Sequence, residues 1–187
     1  MHFGGVRPDQ SNLYAQMNQE AYDAIKDAWE ATKLIRSLFP STNYPENSVT
    51  EYESPGWYKS EGTGGKVTFF KPVKGLTRNK IGKFVNESFI IYMMSILEEF
   101  RIVSRKNPID LSRKGGKHVQ LVLRYRNHFA HGDWNYNQKR RDHRKTRKML
   151  EKLLPKAAKM GPGFLTSIDS VLKPLAKGVL GYIKAST

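Results

Sequence analysis

Residues 77–105, TRNKIGKFVNESFIIYMMSILEEFRIVSR, decide the fold class of this 187-residue chain. Their apolar positions recur at steps of three and four, which predicts a long helix with one buried face. Asn107-Pro108 follows and ends the predicted helix, because a residue before proline is disfavoured in the helical region. The predicted core face carries Ile81, Phe84, Val85, Phe89, Tyr92, Ile96, Phe100 and Val103.

Four other segments show the same helical spacing. They are residues 11–38, residues 117–131, the basic segment 135–154, and a C-terminal amphipathic segment, 163–187, which Pro174 interrupts. Five helical patterns with almost no strand signal predict an all-α bundle of about five helices. The length fits a single helical domain over residues 1–187.

Residues 40–75 interrupt this pattern between the first two predicted helices. Prolines and glycines recur throughout the segment, so a helix cannot persist there. Residues 67–70 are β-branched or aromatic, which predicts one short strand. We interpret the segment as an insertion that covers one side of the helical body.

The basic residues are concentrated in one part of the chain, whose net charge is +15. Residues 101–160 carry 18 Lys and Arg against 4 Asp and Glu, whereas residues 1–100 carry 11 against 12. Such clustering favours a nucleic-acid partner, because cations that neutralise phosphates release counterions. A solvated, solubilising face is the alternative.

Composition also limits the chemistry and the location. The chain has no cysteine, which excludes disulfides, thiol catalysis and cysteine-bound metal. Neither a signal-peptide pattern nor a membrane-spanning apolar run is present, so we expect a cytoplasmic protein that does not enter a membrane. Residues 163–184 alone resemble a membrane-active peptide, which is the alternative to a last core helix.

The side chains best suited to catalysis lie close together in one run, Arg126-Asn127-His128-Phe129-Ala130-His131. In a helix, Asn127 and His131 share a face, whereas Arg126 lies about 140° from His131 around the axis. An arginine, an amide and a titratable imidazole are the groups needed to cleave RNA by attack of its own 2′-hydroxyl. That reaction needs no metal. Arg126 reaches the same phosphate only by bending round or from a second copy of the chain.

The run Arg126-Asn127-xxx-His131 resembles the Arg-x(4–6)-His signature of the HEPN superfamily. The resemblance implies a HEPN-like helical bundle, a homodimer, and metal-independent RNA endonuclease activity in toxins or antiviral defence effectors. It also implies that Arg126 and His131 are catalytic and that Asn127 supports them. In that pattern two copies of the motif face each other, with one His131 as base and the other as acid.

Other residues receive weaker assignments. Glu87, Glu98 and Glu99 are candidates to orient Arg126 or a histidine by a salt bridge. His118 and His143 are predicted on the surface, and His128 is predicted to be structural. We expect no metal and no cofactor, although zinc on His128, His131 and Asp133 is an alternative. Trp134 and Tyr136 are candidates either for stacking on a base or for core packing. The residues predicted to bind nucleic acid are Arg124, Lys139, Arg140, Arg141, Arg144, Lys145, Arg147 and Lys148.

The sequence therefore predicts an endonuclease that acts on RNA and leaves 2′,3′-cyclic phosphate ends. Its expected partners are RNA, a second copy of the chain, and an antitoxin or other regulatory partner. The alternative is a non-catalytic basic RNA-binding or interaction protein with the same fold.

Overall fold

The computed structural model describes residues 10–38, 50–53, 66–69, 78–131, 136–159 and 167–186. The chain is predominantly helical, as the apolar spacing predicts. The elements, in chain order, are α1 (Gln10–Leu38), β1 (Thr50–Glu53), β2 (Lys66–Phe69), α2 (Arg78–Glu99), α3 (Gly116–Ala130), α4 (Arg141–Leu153), α5 (Pro155–Ala158), a π-helical turn (Ile168–Leu172) and α6 (Lys173–Lys184).

Four helices form the body. Helix α2 packs against α1 and α3, and α6 packs against the same two helices from the other side. The core between them is aliphatic and aromatic, and it includes the fully buried side chains of Ile25, Ile90, Leu121, Tyr125 and Tyr182. Helix α4 packs on α3 outside this body, and α5 continues from it. The bundle thus leaves the end of α3 and the start of α4 side by side.

Helix α2 is shorter than predicted. It ends at Glu99, and Arg101 adopts a left-handed conformation with a φ of 56° that turns the chain before Val103. Two residues of the predicted core face, Phe84 and Tyr92, are 70% and 51% exposed, so that part of the prediction is wrong. Both line an open groove between α1 and α2.

The segment between α1 and α2 contains a small antiparallel sheet. Strand β1 pairs with β2, with Thr50 opposite Phe69 and Glu53 opposite Lys66. The strand predicted at residues 67–70 is therefore present, shifted by one residue. The rest of the predicted insertion at 40–75 lies outside the described residues, as does its contact with the helical body.

The C-terminal segment is the last core helix. Helix α6 buries Leu175, Val179 and Ile183 in the bundle, which accounts for the apolar stripe in the sequence. A π-helical turn runs directly into α6, and Pro174 stands in the first turn of α6. Within the described part of the chain, no helix is both long and apolar enough to cross a bilayer.

A close helix contact fixes where α3 begins. Gly115 adopts a φ of 84° beside the backbone of Gly178 on α6, and a side chain at Gly115 would collide with the Gly178 carbonyl oxygen. Nearby, the hydroxyl of the buried Tyr182 accepts the Asp110 N–H at 3.0 Å. These contacts fix the beginning of α3 and, through the rigid helix, the position of its other end.

Candidate active site

The end of α3 forms one wall of a small cavity. Asn127 and His131 lie one helical turn apart, and the His131 N–H donates to the Asn127 carbonyl at 3.3 Å, so the helical geometry extends to His131. Helix α4 supplies the opposite wall. The cavity, called here the α3 cavity, measures about 110 Å³ and is lined by Arg124, Asn127, His128, His131, Arg140, Asp142 and Thr146.

Arg126 does not line the α3 cavity. Its Nη2 donates to both carboxylate oxygens of Glu98 at 2.7 Å, which ties α3 to α2. Its Nη1 donates to Asn127 Oδ1 at 3.2 Å. Within one chain, therefore, Asn127 and His131 come together as predicted, and Arg126 reaches them only through the Asn127 amide. Of the three acidic candidates, the structure pairs Glu98 with Arg126.

His128 has the structural environment predicted for it. It is 5% exposed, and its Nε2 lies 3.0 Å from the hydroxyl of Thr146, which is buried. That hydroxyl donates to the Asp142 carbonyl at 2.9 Å and can therefore only accept from the imidazole. The His128 proton thus sits on Nε2, and the bond joins α3 to α4 below the cavity.

His143 was predicted on the surface, and this prediction is wrong. It is 1% exposed, and its ring meets that of His128 edge to face with 4.5 Å between centroids. The Asn137 N–H donates to His143 Nδ1 at 3.0 Å, which leaves the ring proton on Nε2. The side chain supports the loop that enters α4, where Tyr136 also packs.

His128, Asp142 and His143 bring one ligand atom each within 4.8 Å of one another, which sequence spacing did not indicate. Their hydrogen bonds do not fit a metal centre. A ligating imidazole normally donates its second N–H, whereas His143 accepts at Nδ1 and would have to lose the Nε2 proton to coordinate. The Asp142 carboxylate already accepts two hydrogen bonds from Arg140. We assign the trio a structural role.

Arg140 and Asp142 form an ion pair at the cavity rim. The guanidinium donates to the two carboxylate oxygens at 3.2 and 2.7 Å. These hydrogen bonds hold the pKa of Asp142 well below its usual range, so the carboxylate stays ionised at neutral pH. Among the described residues, the cavity therefore presents two guanidinium groups, from Arg124 and Arg140, and one carboxylate.

The basic residues of α4 fall into two rows. The inner basic row, Arg140, Arg144 and Arg147, binds acceptors within the chain. Arg144 donates to backbone carbonyl groups just before α4, and Arg147 pairs with Glu151 at 2.9 Å and donates to the Ala158 carbonyl. These guanidinium groups hold α4 to its neighbouring segments.

The outer basic row consists of Arg141, Lys145, Lys148 and Lys152. All four are exposed, and among the described residues none of them forms an ion pair. Their spacing of four, three and four places them on one face of α4 over about 16 Å. Lys152 was not among the predicted nucleic-acid-binding residues, and Lys139 is exposed beside the row.

The remaining candidates are distributed elsewhere or are not described. His118 is half-buried against Gly178 at the other end of α3, where burial lowers its pKa, so it is not a surface residue as predicted. Asp133 and Trp134 lie outside the described residues.

No family model matches the chain, and neither a curated protein nor a solved structure matches it.

Proposed function

We propose that this protein is a metal-independent RNA endonuclease of HEPN type that acts as a toxin or antiviral defence effector. The observation that carries the proposal is the shared cavity of Asn127 and His131, which is lined by two arginines and opens at the end of α3. These groups can hold a phosphodiester beside an imidazole that can accept a proton.

The reaction would proceed by transfer within the RNA chain. His131 takes the proton from the 2′-hydroxyl, the 2′-oxygen bonds to phosphorus, and the 5′-oxygen of the next nucleotide leaves with a proton. The products are a 2′,3′-cyclic phosphate and a 5′-hydroxyl. Asn127 donates to a phosphate oxygen, since the Arg126 guanidinium already occupies its amide oxygen.

A second copy of the chain would complete this site. Arg126 and His131 point to different faces of α3, and a two-fold arrangement supplies an Arg126 and a second His131 to each cleavage event. One imidazole then acts as base and the other as acid. Mixing His131→Ala chains with Arg126→Ala chains should restore little activity if both sites must be intact, and substantial rescue would contradict this division.

The test of the activity is incubation with RNA in EDTA. Wild-type protein should release fragments with 2′,3′-cyclic phosphate ends, and His131→Ala and Arg126→Ala should not. His118→Ala is the matched control, because that histidine lies at the opposite end of α3. Cleavage that EDTA abolishes, or full activity in both site variants, would refute the proposal.

The second candidate is a non-catalytic RNA-binding protein with the same fold. The engagement of Arg126 by Glu98 favours it, because a guanidinium that already holds a carboxylate has fewer donors for phosphate. The exposed outer basic row of α4 would supply the affinity in either case. This candidate predicts steeply salt-dependent RNA binding and no product.

A further inference from the structure

Two arginines of α3 lie two residues apart but face different surroundings. Arg124 precedes His131 by seven residues, which places the two about 20° apart around the helix. Arg126 precedes it by five residues and lies about 140° away. Accordingly, Arg124 lines the α3 cavity with Asn127 and His131, and Arg126 lies against Glu98 on α2.

Arg124 also has an unused hydrogen-bond donor. Its Nε is buried, and no acceptor for it lies among the described residues. A buried donor without an acceptor is unfavourable, so the Arg124 side chain is stabilised if it turns its donors toward an anion in the cavity. Arg126 differs on this point, since Glu98 and Asn127 accept from both of its terminal nitrogens.

The charge of the cavity favours an anion. Arg140 neutralises Asp142, the one carboxylate that the described residues bring to the lining, so among these residues the Arg124 guanidinium has no carboxylate partner. A planar guanidinium with adjacent donors matches the oxygens of a phosphate group. A neutral amide and an imidazole alone would give a weaker and less oriented site.

We propose that Arg124 is the arginine that binds the scissile phosphodiester within each chain, next to His131 and Asn127. This inference rests on the proposed endonuclease function and names the phosphate contact of that same site. The resemblance to the HEPN signature, by contrast, gives the arginine role to Arg126. The chemical class of the ligand is a phosphodiester monoanion.

The test is binding of dimethyl phosphate, a phosphodiester without a nucleobase, to the full chain in EDTA. The readout is the ring C–H resonance of His131 in NMR spectra, assigned by its loss in His131→Ala. Wild-type protein should show a saturable shift, and Arg124→Gln should weaken binding about tenfold or more. Arg126→Gln should weaken binding less than Arg124→Gln does, because Glu98 already holds the Arg126 guanidinium. The exposed control Arg105→Gln should change the affinity less than threefold.

Two further measurements keep the outcomes separate. Arg124→Lys keeps the charge but loses the fork of donors, so intermediate affinity is expected. Circular dichroism establishes that each variant is folded, and if Arg124→Gln is not folded, Arg124→Lys decides. Unchanged affinity in a folded Arg124 variant, or lost affinity in Arg126→Gln alone, overturns the inference.

The endonuclease proposal fails by a different result. If dimethyl phosphate binding depends on Arg124 but no RNA is cut, the result supports the phosphate site and refutes the enzymatic function. If the wild-type protein cuts RNA and Arg124→Gln cuts it at the same rate, the result supports the enzymatic function and refutes the assignment of Arg124 to the phosphate.

Discussion

Removal of the outer basic row of α4 should make RNA binding much less sensitive to salt. Each phosphate of single-stranded RNA that a cation neutralises contributes about 0.7 to the slope of log affinity against log salt concentration. Four independent contacts therefore correspond to a slope difference of about 2.8. Between about 50 and 200 mM salt, that difference amounts to about 50-fold in relative affinity.

The assay is fluorescence anisotropy with a labelled single-stranded RNA, measured in a His131→Ala background so that the ligand stays intact. The variant replaces Arg141, Lys145, Lys148 and Lys152 with glutamine. Its matched control removes the same four charges from exposed positions on other helices, at Lys26, Lys117, Lys173 and Lys177. The two proteins then have equal net charge and differ in where the charge was lost.

The outcome depends on whether position matters. If the outer basic row contacts the RNA backbone, the salt-dependence slope of the outer-row variant should fall by about two to three more than the slope of the control variant. This difference follows from the same counterion estimate of about 0.7 per contact. Equal slopes in the two variants would show that only net charge counts. An unchanged slope in the outer-row variant would contradict the assignment of this row to phosphate binding.

Three further predictions concern stability. Glu98→Gln and Arg126→Gln should each destabilise the fold, with a coupling of about 0.5 kcal/mol in a urea-unfolding double-mutant cycle, since the pair is partly exposed; additive effects would contradict the ion pair. Burial raises the pKa of Glu87 to about 7, so the folded state holds its proton while the unfolded chain loses it near 4.5. Stability should thus be full below pH 4.5 and fall by up to about 3 kcal/mol as pH rises through 7, and Glu87→Gln should remove this loss. Gly115→Ala should cost more than about 2 kcal/mol because of its positive φ and the backbone of α6, whereas Gly181→Ala, which has space for a methyl group, should cost less.

Local geometry explains what the sequence predicted correctly. The spacing of apolar residues defines helices without knowledge of their partners, and it located all four helices of the body. The common face of Asn127 and His131 follows from the helical repeat alone. The end of α2 did not follow, because Arg101 adopts a left-handed conformation that arginine rarely takes, and nothing in its neighbours indicates the turn.

Contacts between helices explain what the sequence did not predict. Glu98, rather than Glu87 or Glu99, pairs with Arg126 because of the way α2 packs on α3. The sequence of neither helix predicts that packing. His143 lies within a basic segment, which predicts an exposed side chain, yet it faces His128 because it lies on the side of α4 that packs on α3. Helical spacing separates the two rows of cations, but only a three-dimensional structure shows which row binds acceptors within the chain.

The two arginines of α3 show why a linear motif does not determine a site by itself. A signature of arginine and histidine allows several spacings, and each added residue rotates the arginine by about 100° around the helix. At a spacing of five, Arg126 lies on the Glu98 side, and at seven, Arg124 lies in the cavity with His131. A motif with variable spacing can therefore be satisfied either by an arginine that acts in its own chain or by one that acts on a second chain. In this protein the phase of α3 places one arginine on each of these two sides, and the phosphate-binding experiment tests which of them binds the phosphate.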